Sequence, residues 1–216
     1  MKFPSAQKGV YKLWIAALIG IVVAAFALAG SLFSGLAGDA EDIKKIGVGV
    51  AGAGGIFGIV VLVLELVGLH QASQDDSSFH VSFMLIIFSL ILNFVGGIVG
   101  AFNNDVCKLI AKIIGVGSSV CTLLSLEYIF RGIISLSNQL GDENLVKEGR
   151  KLIVIIWIVF ILSIVLSLLS TILGTNTADW VKIVVAILVI IAAAIDVAVE
   201  IITFLYYSKA KEMLKE

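Results

Sequence analysis

Residues 152–173 read LIVIIWIVFILSIVLSLLSTIL, twenty-two positions without a charge. A helix of that length rises about 1.5 Å per residue and reaches roughly 33 Å, enough to cross a hydrocarbon core of about 30 Å. The run is too long for a barrel strand and has no period-two alternation. Five further stretches pass the same test: 13–37, 46–69, 81–102, 109–134 and 183–207. The connections between them, 38–45, 70–80, 103–108, 135–151 and 174–182, are polar and too short to hold a separate domain. The pattern predicts an all-α integral membrane protein, a single transmembrane domain of six helices.

Composition points the same way. Of 216 residues, 60% are hydrophobic and 14% charged, against roughly 25% charged in a water-borne domain. Such a chain cannot cover its surface with polar groups, so its expected partner is the lipid bilayer. A net charge of -1 lacks the basic footprint of a nucleic-acid binder. The one proline, Pro4, precedes every apolar run, so proline breaks none of them. Cys107 and Cys121 lie fourteen residues apart on one predicted helix, about 21 Å. A disulfide needs its α-carbons within about 7 Å, so none is expected. Lysine outnumbers arginine 13 to 2, a bias common in AT-rich bacterial genomes.

The first apolar run resembles a signal peptide, with lysines before it and Ala27-Leu28-Ala29 as a small-residue cleavage site. The run continues past that site to Ala37, so it reads as a retained span. Six spans put both termini on one side. That side carries ten lysines and arginines and the other five. Positive charge favours the cytoplasm, so the expectation is a multi-pass protein of the cell membrane with both termini cytoplasmic.

The even-numbered helices share a pattern. Each opens on Asp-x-x-Lys: Asp42 to Lys45, Asp105 to Lys108, and Asp179 to Lys182. Each carries a glutamate 21 to 23 residues later, Glu65, Glu127 and Glu200, and a serine eight residues beyond, Ser73, Ser135 and Ser208. Self-similarity of this kind predicts three pseudo-repeated helical hairpins, 9–78, 79–146 and 147–216. The aspartates read as N-caps on the outer side, with the lysines snorkelling to headgroups. Trp14, Trp180, Tyr206 and Tyr207 fit aromatic belts at the two interfaces.

Glycine is frequent on these helices. Gly47-Val48-Gly49-Val50-Ala51-Gly52 matches a dinucleotide-binding fingerprint in letters only, since no strand precedes it and it opens a membrane helix. No cofactor is expected. Gly54-x-x-x-Gly58, Gly96-x-x-x-Gly100 and Ala16-x-x-x-Gly20 are instead small-residue faces that let helices approach closely in lipid.

Ionisable groups inside the runs carry most of the chemistry. Glu65, Glu127, Asp196 and Glu200 fall within apolar helices, where a charge costs about 2.5–3.5 kcal/mol at the span centre. Asp196 and Glu200 are one turn apart and titrate as a coupled pair. With the hairpins around a pseudo-threefold axis, Glu65, Glu127 and Glu200 sit at equal depth and can converge on a proton or cation. The competing reading is structural. Glu127 pairs with Arg131 four residues on, and the other acids bond neighbouring helices. His70, His80, Asp75 and Asp76 match no strong metal-ligand spacing and read as a solvated turn. Ser118, Ser119, Thr122 and Ser125 on helix 4, and Ser163, Ser167 and Ser170 on helix 5, line a polar path or bond between helices.

No H-E-x-x-H, G-x-S-x-G or P-loop is present, so an enzyme is not expected. Two functions remain. One is a proton- or cation-linked small-solute transporter or channel component using the buried carboxylates. The other is a membrane scaffold or accessory subunit that binds copies of itself or partner membrane subunits through its small-residue faces.

Overall fold

The computed structural model describes the backbone of residues 2–36, 41–102, 104–174 and 179–215. Within that set, side chains are described except at 27, 31–36, 41–54, 167, 168, 170–174, 179, 180, 182, 183, 185, 186, 189, 193 and 196. The elements are α1 (Pro4–Leu36), α2 (Glu41–Ala72), α3 (Ser77–Gly100), α4 (Asp105–Leu140), α5 (Glu143–Gly174) and α6 (Asp179–Met213), with no strand among the described residues. All six are long and apolar enough to cross a membrane.

The helices outrun the apolar stretches that nucleate them. α4 has 36 residues, about 54 Å at helical rise. The connection expected over 70–80 shrinks because α2 runs through His70 to Ala72 and α3 begins at Ser77, so His70 and His80 are helical. The connection expected over 135–151 shrinks to Gly141 and Asp142. Capping explains both. Gly141 takes φ 81, the left-handed conformation that glycine adopts without a Cβ penalty. There Asp142 N–H donates to the Ser137 carbonyl at 3.0 Å, closing α4 in a Schellman turn. The Asp142 carboxylate then accepts from Leu145 N–H at 3.0 Å and opens α5. Asp105, read as an N-cap, is instead the first residue of α4. The cap is Asn104, whose extended backbone and side-chain oxygen suit it to accept from Val106 N–H at 2.9 Å. Asp105 sits within the ion-pair limit of Lys108 at 3.9 Å, both well exposed. The side chains of Asp42 and Asp179 lie outside the described residues.

The chain divides into two compact units. The first holds Met1–Val10, Leu66–Ile156 and Ala210–Glu216. Its buried apolar residues include Ala6, Val10, Leu69, Ala72, Phe79, Phe130, Ile133, Leu136, Ala210 and Leu214. The start of α1 is fastened here. Pro4 takes the first helical turn, where a missing N–H costs nothing. Two residues on, Ala6 N–H donates to the Asp75 carboxylate at 2.6 Å. Ser5 bonds Gln74 at 3.0 Å, and Lys2 Nζ donates to the Gln139 carbonyl at 3.0 Å, in the last turn of α4. Gly9 lies against the Gly68 carbonyl and the Ala72 side chain, with no room for a β-carbon.

α3 and α4 form an antiparallel hairpin along a seven-residue seam. Ser82 bonds Ser125 at 2.7 Å and Ser89 bonds Ser118 at 2.8 Å, all four buried. One heptad further, Gly96 packs on Ile114 and Ala111, and Gly100 packs on Ala111. At the other end Gly132 receives the Phe79 ring. Small residues every seventh position bring two helices close along a coiled-coil seam. Exposed apolar residues on the hairpin include Phe88, Ile91, Phe94, Ile98, Phe102, Leu109 and Ile113.

The second unit holds Tyr11–Glu65 and Trp157–Lys209. Here α1 packs on α2 through Phe26 and Phe57, whose rings stack at 6.4 Å. It packs on α6 through Trp14 and Phe204 at 5.5 Å, with Tyr11 stacked on Trp14 at 5.9 Å. Leu13, Ala16, Ala17, Val181, Thr203, Tyr206 and Tyr207 are buried.

Candidate functional site

Two of the predicted acids lie in the second unit. α2 presents Glu65 and α6 presents Glu200, both half-buried and close enough to repel each other. Tyr207, seven residues after Glu200, returns to the same face two helical turns later. Its side chain is buried, as is that of Tyr206 before it. From α1, Gly20 closes the group. The Glu200 Oε2 is 3.1 Å from the point a β-carbon would occupy at Gly20.

This arrangement suits the exchange of a small charge. Two carboxylates in apolar surroundings carry negative charge that low-dielectric material penalises, and a bound proton or cation lowers that penalty. A phenol can donate to a carboxylate oxygen within its reach.

The remaining predicted residues are placed differently. Glu127 belongs to the first unit, is 6% exposed, and forms an ion pair with Arg131 one turn on. Arg131 is half exposed and its guanidinium also lies 5.4 Å from the Tyr128 ring. The Asp196 side chain and the surroundings of Gly54 lie outside the described residues. Gly96 and Gly100 pack within the α3–α4 seam, whereas Gly58 has no described neighbour within 4 Å of its β-position. Asp75 and Asp76, the acids of the 70–80 segment, cap α1 and α3, through Ala6 N–H and Ser78 N–H respectively.

Sequence reasoning did not place Gly20 and Tyr207 at this site. It read Gly20 as packing and Tyr207 as an interface aromatic. The available signal was the seven-residue step from Glu200 to Tyr207. The same step, Ser82 to Ser89 to Gly96, marked the α3 half of the seam. No family model, curated protein or solved structure matches the chain.

Proposed function

We propose that the chain is a multi-pass protein of the cell membrane in which Glu65 and Glu200 bind the proton or cation of a small-solute carrier or channel component. The observation that carries this reading is the pairing of two acids from different helices, within candidate spans, beside a buried phenol and a glycine notch. Acids kept inside apolar helices at this cost are functional candidates by default. In this reading the helices form three hairpins, 9–78, 79–146 and 147–216, with both termini cytoplasmic. No catalytic chemistry is assigned.

Purified protein in liposomes tests it. A pH-sensitive dye inside the vesicles reports proton movement, and a sodium or potassium gradient reports cation movement. Glu65→Gln and Glu200→Gln each abolish the coupled flux while the protein still inserts. Flux unchanged in both variants would refute the site.

A second reading is a membrane scaffold. It is favoured by Gly55 and Gly58 on α2, where no described atom comes within 4 Å of either β-position. Such a bare strip is a surface for a partner helix. Partner capture that survives both glutamine variants, with no flux in the parent protein, selects it.

A further inference from the structure

The geometry points to a self-association face on the outer half of the α3–α4 hairpin, centred on Asn93, with a second copy of this chain as its partner. It rests on the membrane reading above.

Asn93 lies inside the candidate span Ser77–Gly100. Gly100 ends α3 seven residues on, about 10 Å along the helix, so Asn93 falls inside a core about 30 Å thick, toward the end nearer the start of α4. Its side chain is exposed, and its carboxamide makes no hydrogen bond to any described residue. Hydrocarbon offers that amide nothing, and an unsatisfied polar group there costs several kcal/mol. Among the described residues, Ser89, Ser118, Ser119 and Thr122 already have partners. Ser89 bonds Ser118 and Thr122, and Ser119 donates to the Gly115 carbonyl at 3.0 Å.

The surroundings of Asn93 are open. Residues four beyond each seam position flank the seam on one side, as the Gly100–Ala111 and Ser89–Thr122 contacts show. Asn93 follows Ser89 by four, and Gly115 follows Ala111 by four. Gly97 lies one turn beyond Asn93, and neither Gly97 nor Gly115 has a described atom within 4 Å of its β-position. A backbone can therefore come close beside the amide.

A second copy fits this face by its chemistry. A carboxamide both donates and accepts. Two Asn93 side chains across a twofold axis satisfy each other reciprocally, and a twofold contact uses the same patch on both subunits. Interhelical asparagine bonds beside small residues drive association in lipid.

The test uses the full chain in liposomes, with subunits counted by single-molecule photobleaching as the lipid-to-protein ratio rises. The parent protein dimerises. Asn93→Leu weakens the dimer about tenfold, and Asn93→Gln retains it. In a background carrying Cys107→Ser and Cys121→Ser, Gly97→Cys gives a covalent dimer on mild oxidation. Leucine at 93 with undiminished dimer, or no covalent dimer from the Gly97→Cys chain, overturns the proposal. A chain that stays monomeric but resists alkaline carbonate extraction overturns the dimer and spares the membrane reading. Release by carbonate overturns both.

Discussion

The Glu200 carboxyl lies over Gly20 of the neighbouring helix, with Oε2 3.1 Å from where a β-carbon would stand. Gly20→Ala brings that carbon tighter than ordinary contact, and the flexible end of Glu200 gives by a few tenths of an ångström. Gly20→Leu fills the notch. Alanine is expected to leave thermal stability within about 1 kcal/mol, since an end group can swing aside. Leucine is expected to cut liposome flux at least about tenfold, equal to about 1.4 kcal/mol of barrier. Equal flux from the leucine variant and the parent would remove Gly20 from the site.

Among the described residues, glycines separate into tight and open positions. A methyl at Gly9 meets the Gly68 carbonyl and Ala72, and one at Gly132 meets the buried Phe79 ring at 2.7–3.0 Å. Each alanine variant is expected to lose about 1–3 kcal/mol, the usual cost of overpacking. Gly9→Ala should cost more, because backbone cannot yield as a ring can. Gly58→Ala, in open space, should not lower the melting temperature in detergent. Phe79→Leu should partly rescue Gly132→Ala.

The Glu127–Arg131 pair joins a buried carboxylate to a half-exposed guanidinium. Removing the guanidinium takes one partner from a buried acid. Arg131→Leu is therefore expected to cost about 1–3 kcal/mol. Adding Glu127→Gln should recover at least half of that, since the residues are coupled. Additive losses in the double variant would show that the pair contributes nothing as a pair.

Loss of a buried serine bond should be small. Ser82→Ala removes the hydroxyl–hydroxyl bond of the α3–α4 seam, and Ser125→Ala also removes the Ser125 contact to the Ser82 carbonyl, about 0.5–1 kcal/mol in such settings. The pair of changes together should cost little more than either alone. A loss of several kcal/mol from one variant would show that the hydroxyls do more than join two helices.

Six long apolar helices were legible because the 152–173 run and its five counterparts are set by solvent, and hydropathy reports solvent directly. Helix ends were less legible. Hydropathy falls at His70 and Ser135, but the helices continue to Ala72 and Leu140, where capping residues end them. The pairing of Glu127 with Arg131 followed from four-residue spacing. The meeting of Glu65 with Glu200 joins α2 to α6 across more than a hundred residues, and periodicity along one helix cannot say which helices become neighbours. Likewise, Ser82 and Ser89 gained meaning only once α4 supplied Ser125 and Ser118 at the same step.

One short turn serves two helix starts: Asp76 caps α3, the helix that follows it, and Asp75 caps α1 from 69 residues downstream. Asp75→Ala is expected to cost about 1 kcal/mol, while Asp75→Asn, which keeps an acceptor, stays within a few tenths. There is also a temporal side to this arrangement. Ribosomes add about 5–20 residues per second, so the first turn of α1 waits several seconds after its own synthesis before the group that completes it has been made. Until then that turn is a natural point for fraying, and a translational pause between residues 10 and 75 should lengthen its exposure to a co-translational protease.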